Sequence, residues 1–497
     1  MNAGTPILIA VVGHTNAGKT SLLRTLTRRV DFGEVASRPG TTRHVERVDL
    51  QVGGRTALRF FDTPGLEDAV SLRSHLDAFG QGDAAAQTPP ERIRRFLQSP
   101  EAHGDFEQEA KVLRTLLDAD AAFLVIDVRE AVLPKFRDEI ELIGSCGKPV
   151  LPVLNFVSHA AARTAEWQAL LAAYGLHAVV RFDAAAPFVG AERDLYQDLV
   201  TLLRHRRADL EAVVAHLARE ARLRDAAAAQ RIAGLLIDVA SLRRLLPATT
   251  ATAPAASPAD AAAPSQGATT SREAAIAALR SDVFAQAQRC ADDLLALYGF
   301  REGDAGEARL PLVEGRWSMD FFSPEAMKDA GIRLGKGAMV GAAVGAAADL
   351  AVGGLSLGAG VALGSALGGA LAQGWSPLGR KLLHRLRDIQ ELSVEDNVLG
   401  VLLVWQVRLA RALAQRGHAA AGHAVAENLD VALPPEAIVR VLRAVQPARA
   451  HPEWNSAKSG LLSVLRKHDA GPAKAHLLQS VTQAVQSITE YRAQPTV

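Results

Sequence analysis

The 497-residue sequence predicts an α/β domain over residues 1–200, with a mostly parallel sheet and helices on both faces. An all-α domain over residues 201–497 follows it. Three observations carry this division. Short apolar runs alternate with helical patterns through residues 6–200, the signature of parallel strands joined by crossover helices. The strand signal stops after about residue 200. A Gly/Ala-rich apolar stretch, residues 337–374, then reads as a helical hairpin inside the second domain.

In chain order, the strand candidates are residues 7–12, 57–61, 121–126, 150–154 and 178–182. Helical patterns lie near 19–29, 106–118, 136–144 and 163–174. Residues 77–104 are polar and punctuated, and read as an insertion or mobile loop. Residues 201–246 read as one long Arg-rich helix ended by Pro247. Residues 247–270 are low-complexity Ala/Pro/Thr/Ser and bury too little apolar surface to offset ordering entropy, so they read as a disordered loop. Helices resume at about 271–299, 376–416, 435–446 and 457–490.

Composition removes several function classes. Hydrophobic residues make up 48% and charged residues 22%, the range of a folded protein. Lys+Arg 55 against Asp+Glu 54 leaves a net charge of +1, which argues against a general nucleic-acid binder. Cys146 and Cys290 form no CxxC pair, so neither a disulfide framework nor a cysteine zinc site is expected, and a reducing compartment is favoured. The N-terminal apolar run has six residues and no basic leader, which is not a secretion signal. The chain is expected to face the cytoplasm. Arginine outnumbers lysine 45 to 10, and Lys19 is the only lysine before Lys111. A lysine inside a phosphate-binding pattern is therefore hardly an accident of composition.

That pattern is Gly13-His14-Thr15-Asn16-Ala17-Gly18-Lys19-Thr20, followed by Ser21. It fits GxxxxGK[ST] between a strand and a helix. Glycines let backbone N–H groups wrap around phosphates, the lysine reaches the β- and γ-phosphate oxygens, and the Thr20 hydroxyl ligates Mg2+. Asp62-Thr63-Pro64-Gly65 follows the strand candidate 57–61. An acid there holds Mg2+ through water, and the Gly65 amide meets the γ-phosphate. Between them lies Arg38-Pro39-Gly40-Thr41-Thr42-Arg43, where a threonine that ligates Mg2+ only beside a γ-phosphate makes a switch.

GHTNAGKTS, RPGTTR and DTPG together resemble the first three motifs of the translation-factor-like GTPases of the Era/TrmE type, over about residues 5–200. The resemblance implies a P-loop GTPase fold that binds GTP and GDP with Mg2+. It implies Thr42 as the switch threonine and a third ligand side chain for the metal beside Thr20 and Asp62. It also implies that Asn16 coordinates an activating monovalent cation such as K+, although Asn16 as a simple turn former is the plainer reading. Asn16, Lys19 and Thr42 are thus the catalytic candidates. The sequence departs from the class at two places. Leu66 stands where related enzymes place a water-orienting glutamine. The base-recognition motif NKxD reads Asn155-Phe156-Val157-Ser158, which keeps the asparagine and lacks the lysine and the aspartate. The loop 182–187, with Ala184, sits where the class offers a backbone N–H to the base. Beyond the head, the whole chain resembles a bacterial two-domain family with a helical C-terminal domain of unknown function.

Other constellations are weak. His418 and His423 have an awkward spacing for one helix face, no GxSxG elbow supports a serine triad, and Arg204–Arg207 reads as a solvated face. Residues 337–374 leave two readings open. Their single charge is Asp349, and small residues recur every four positions at Gly337, Gly341, Gly345 and at Gly360, Gly364, Gly368. One reading is a pair of tightly packed helices in a soluble bundle. The other is a membrane hairpin, with arms near 338–352 and 355–372, although a full span needs about 20 apolar residues.

The first functional reading is a cytoplasmic Mg2+-dependent GTP switch that acts at the inner membrane. Its partners would be guanine nucleotide, an inner-membrane lipid or membrane protein, and a second copy in a nucleotide-dependent homodimer; nucleic acid is not expected. The rivals are a ribosome- or RNA-associated assembly GTPase and a low-turnover nucleotide-dependent scaffold, the latter suggested by Leu66.

Overall fold

The structure is a computed structural model. It describes residues 5–28, 45–79, 88–184, 187, 190–246, 266–300, 312–313, 316–331, 355–356, 390–415, 433–455 and 471–489. The chain forms two compact units, and the division between Arg222 and Leu223 falls inside one helix.

The first unit contains β1 (Ile7–Val12), α1 (Lys19–Thr27), β2 (Glu46–Val52), β3 (Arg55–Asp62), α2 (Ala69–Phe79), α3 (Pro89–Phe96), α4 (Glu107–Asp118), β4 (Ala121–Asp127), α5 (Pro134–Ser145), β5 (Val150–Asn155), α6 (Thr164–Ala173), β6 (Val180–Arg181) and α7 (Ala191–Leu202). It also holds the first half of α8 (Arg207–Ser241). The strands form one sheet in the order β2-β3-β1-β4-β5-β6, parallel except for β2. Central strands are buried on both faces, which is why they read as unbroken apolar runs. Along β4, Ala122, Leu124 and Ile126 face a core shared with α2 to α6, while Ala121, Phe123 and Val125 face α1, α7 and α8.

Two elements of this unit differ from the sequence-based expectation. β2 has the sequence ERVDLQV and buries just one face, through Val48 and Leu50. A half-exposed edge strand carries charges and gives no apolar run. Its signal was the Gly53-Gly54 pair, which turns β2 into β3 with both residues at positive φ, 58° and 78°; such two-residue turns favour this pair. The expected insertion 77–104 instead holds the end of α2, then α3 and a 3-10 turn at Glu101–His103. Thr88 and Glu91 form a capping box ahead of Ile93 and Phe96, both buried, and the TPPE sequence encodes that start. Residues 80–87 lie outside the described residues.

The second unit is mostly helical, with small sheets. It comprises the rest of α8, β7 (Arg243–Leu246), α9 (Gln266–Leu297), β8 (Leu312–Val313), β9 (Arg316–Trp317), α10 (Pro324–Asp329), β10 (Leu355–Ser356), β11 (Gln390–Val394), α11 (Asp396–Gln415) as far as Leu413, α12 (Pro435–Val445) and α13 (Gly471–Thr489). The all-α expectation is thus corrected at five short strands. β11 pairs antiparallel with both β7 and β10. The long helix expected over 201–246 is really the end of α7, a 3-10 turn at Arg204–Arg206, α8 and β7. α8 stops because Arg243 folds its guanidinium back on the Ala240 and Leu242 carbonyls, at 2.9 and 2.7 Å, which satisfies the acceptors exposed at a helix end.

One helix among the described residues, Asp396–Ala414, is long and apolar enough to cross a membrane, and 78% of its apolar window is buried inside the protein. Val398, Leu402 and Leu409 make it a core helix. Of residues 337–374, the structure describes Leu355 and Ser356, as β10 rather than the start of a helical arm. The rest of the expected hairpin, most of the expected loop 247–270 and residues 376–389 and 456–470 lie outside the described residues; 266–270 open α9. Cys146 is buried in the first unit and Cys290 in the second, each a free thiol. Burial pushes the Cys146 thiol up to about 12 and that of Cys290 higher still.

Candidate nucleotide site

The carboxyl ends of β1, β3, β4 and β5 meet on one edge of the sheet, where open α/β sheets bind ligands. β1 releases the chain at Gly13, whose φ is 141°; a Cβ there would stand 2.2 Å from the Val125 carbonyl oxygen of β4. Gly18, at φ 92°, precedes α1, and a Cβ on it would reach 2.3 Å from Asn155 Nδ2. These two glycines therefore let the loop lie flat between neighbouring strands. Asn16 sits at the exposed crest with φ 66°, a left-handed conformation asparagine tolerates, so the turn-former role is met. Ala17 is buried under the crest, and Ser21 lies in the first turn of α1.

Lys19 is buried, and its Nζ donates to the carbonyls of Gly13 and His14, both at 3.0 Å. Burial holds its ammonium below the usual lysine range, opposed by Asp62 and Glu139 nearby. An ammonium curled on loop carbonyls at the mouth of a helix N-terminus is placed to meet an anion. The His14 side chain turns away, toward α5. Lys135 Nζ, which can only donate, stands 2.9 Å from His14 Nε2, so Nδ1–H donates to Glu139 Oε1 at 2.7 Å. What His14 offers a phosphate is its backbone.

Thr20 Oγ1 donates to Asp62 Oδ2 at 2.5 Å. The other oxygen, Asp62 Oδ1, is buried with no hydrogen-bond partner among the described residues. Burial pushes the Asp62 carboxyl up to about 6, against the pull of Thr20 and Lys19. A hydroxyl beside an unsatisfied buried carboxylate oxygen is a hard-oxygen donor set, and it fits Mg2+. Thr42, the third expected ligand, lies outside the described residues with the rest of Arg38–Arg43. Gly65 packs directly on the phosphate loop: a Cβ on it would fall 2.2 Å from Thr15 Oγ1 and 2.7 Å from Thr15 N. Leu66 is buried in the core beneath, so it presents no polar group to a phosphate.

Two buried carboxylates that sequence reasoning missed hold this site. Glu109 on α4 accepts from the backbone N–H groups of Glu67 and Asp68, at 3.2 and 3.0 Å, and so anchors the chain just after Gly65 at the start of α2. Glu139 on α5 holds His14. Each interrupts an apolar helix face, Glu109 beside Val112, Leu113 and Leu116, and Glu139 beside Phe136, Ile140 and Ile143; that interruption was the available signal. Arg73 of α2 in turn binds Asp138 and Glu141 of α5.

Asn155 braces three loops. Its Nδ2 donates to the Ala17 carbonyl, and its Oδ1 accepts from the backbone N–H groups of Phe156 and Ala184, all at 3.0 Å. The Ala184 N–H, expected to face the base, is therefore given to Asn155. Asn155→Ala strands the buried Ala184 N–H and Ala17 carbonyl and the part-buried Phe156 N–H, and is expected to cost about 2–4 kcal/mol and to weaken nucleotide binding through the loosened loop. Thermal melting of the variant checks this; an unchanged midpoint rules out the bracing role.

A glycine loop between a parallel strand and a helix, a buried lysine within it, and a threonine of that helix facing an aspartate at the end of the next parallel strand define the head as a phosphate-binding domain of the P-loop type. Residues 8–156 match the family described as 50S ribosome-binding GTPase. Residues 168–470 match the family described as a domain of unknown function, DUF3482, and the chain belongs to that family.

The head is 32% identical over 130 residues to the probable GTP-binding protein EngB of Leuconostoc citreum, covering 26% of this chain and 65% of that protein. It is 47% identical over 151 residues to EngB of Neisseria meningitidis serogroup C, covering 30% and 58%. It is 32% identical over 151 residues to the tRNA modification GTPase MnmE of Mesorhizobium japonicum, covering 29% and 31%. The chain thus spans less than two thirds of these relatives. A crystal structure of Aquifex aeolicus Era bound to GDP·AlF4− is 20% identical, covering 39% of this chain and 56% of that one, with a TM-score of 0.28.

Proposed function

We propose that this protein hydrolyses GTP with Mg2+ and uses the nucleotide state as a switch. The observation that carries this is the pair Thr20 and Asp62, with the Asp62 Oδ1 left unsatisfied beside Lys19. Mg2+ bound there would neutralise charge on the β- and γ-phosphates. Lys19 exchanges its two carbonyl partners for phosphate oxygens, the loop amides hold the phosphates, and Gly65 lies against Thr15 where its amide senses the γ-phosphate. Phosphate release from GTP by the purified chain, measured with and without Mg2+, tests the proposal. No release at any Mg2+ concentration refutes it.

Leu66 supplies no water-orienting group, so turnover by the chain alone is slow. Asn16, exposed at the crest of the loop, offers a carbonyl to K+, whose charge would stabilise the transition state. Hydrolysis is expected to run faster in K+ than in Na+ at equal ionic strength, and Asn16→Ala is expected to remove the difference. Equal rates in the two salts exclude the cation role.

We further propose that the switch acts at the inner membrane through the two stretches of residues 337–374 that flank β10, whose composition and four-residue spacing of glycine suit close packing in lipid. Deletion of residues 338–373 is expected to release the chain from the membrane pellet with nucleotide binding intact. Failure of the full chain to float with anionic liposomes in either nucleotide state excludes this site of action. The second reading, a ribosome-associated GTPase, is favoured by the description of the family that residues 8–156 match; it removes the support for an expectation against nucleic acid. Co-sedimentation with ribosomal particles in a density gradient, rather than with membranes, decides for it.

A further inference from the structure

We propose that the base of the bound nucleotide is selected by Phe156 and Arg129 through stacking, with no carboxylate reading it; this rests on the GTPase reading above. Phe156 follows Asn155 at the carboxyl end of β5, at the edge of the phosphate loop. Its ring lies 3.7 Å from where a Cβ on Gly18 would stand. Its backbone is left-handed, φ 62°, a conformation rare for a bulky residue, and Asn155 holds it there by accepting its N–H. The ring is partly exposed.

Over that ring lies the guanidinium of Arg129, with Cζ 3.6 Å from the ring centroid. Arg129 is fixed in turn by Asp127 at the end of β4, through Nε at 2.9 Å and Nη2 at 2.6 Å. Two flat groups, one aromatic and one cationic, are thus stacked beside the phosphate loop. The position two residues after Phe156 is the exposed Ser158. Asp183, at the end of β6, is buried.

A carboxylate facing guanine N1 and N2 would reject adenine strongly, because adenine leaves its acceptors unpaired. A stacking surface cannot do this, since every base presents a π-face. Arg129 adds one bias. Its Nε and Nη2 are held by Asp127, so it acts through its charge, which favours guanine, with acceptors at O6 and N7, over adenine, which presents a donor at N6. The pair therefore binds both purines and prefers guanine weakly, by no more than about 10-fold.

Calorimetric titration of the full chain with GTP, ATP and tripolyphosphate, each with Mg2+, tests this. Phe156→Ala is expected to weaken GTP and ATP by similar factors, on the order of 5- to 100-fold, and to leave tripolyphosphate unchanged. Phe156→Trp is expected to retain affinity for both nucleotides. Arg129→Ala is expected to lower the GTP:ATP preference and Ser158→Asp to raise it. The proposal is overturned if Phe156→Ala leaves both nucleotides unaffected, if it weakens tripolyphosphate equally, or if the wild-type chain already rejects ATP by more than about 10,000-fold. A wild-type chain that binds tripolyphosphate but neither nucleotide overturns it too. A chain that binds none of the three ligands brings down the GTPase reading along with it.

Discussion

Lys19→Ala is expected to abolish measurable GTP binding while the head stays folded. Its Nζ is the buried cation of the phosphate loop, held 3.0 Å from each of two loop carbonyls. Truncating one partner of a desolvated, hydrogen-bonded charge pair costs about 2–5 kcal/mol, which is roughly 30- to 5,000-fold in affinity. The fold loses less. Burying the ammonium is itself unfavourable, as the lowered pKa records, and that cost disappears with the group, offsetting the two lost hydrogen bonds. Calorimetry with GTP and a thermal melt of the same sample check both halves. Unchanged affinity in the variant would remove the GTPase reading altogether.

The second large effect concerns Asp62. Burial raises its carboxyl to about 6 in the folded chain, against an unfolded value of about 4. Between those values the folded state binds more protons than the unfolded state, so this residue's contribution to stability falls as pH rises through about 4 to 6. Above 6 the cost is present in full, on the order of 2–3 kcal/mol. On the proposed function Mg2+ would compete with the proton for the carboxylate, so its binding is expected to strengthen as pH rises through 6. Asp62→Asn is therefore expected to make the metal-free protein more stable than wild type at pH 7, to erase that difference near pH 4, and to lose stabilisation by Mg2+ with GTP. Melting curves of both proteins from pH 4 to 8, with and without Mg2+, decide. A variant that is less stable than wild type at pH 7, or still stabilised by Mg2+ with GTP, contradicts the account.

The parts of the molecule legible in the sequence are those where local chemistry dictates the backbone. β1, β4 and β5 are covered on both faces and must be apolar throughout. Gly13 and Gly18 are required because Val125 and Asn155 stand where a side chain would go. What escaped depends on partners far along the chain. β7, with the sequence RRLL, continues a helical pattern, and it becomes a strand because β11 pairs with it, Gln390 opposite Leu246. β2 is charged and becomes a strand through its hairpin with β3. In the site, Lys19, Thr20, Asp62 and Gly65 were visible as motif. Glu109 and Glu139 were not, because a carboxylate in a helix acquires its meaning from the loop that the fold brings to it. Asn155 was visible as an asparagine of the base motif, and its bracing of Ala17, Phe156 and Ala184 was not.

The placement of the two cysteines gives this chain a built-in reporter of local opening. Cys146 and Cys290 lie one in each compact unit, both buried. Each thiol is held well above its ordinary range, so neither forms the thiolate needed for alkylation while its surroundings stay closed. Modification at one site therefore records the unfastening of that unit, and the two adducts separate by mass after digestion. Nucleotide-dependent protection at Cys146 alone would measure how far the energy of ligation stays within the head. Protection that extends to Cys290 would give the coupling between nucleotide and helical unit in free-energy terms, without any added label.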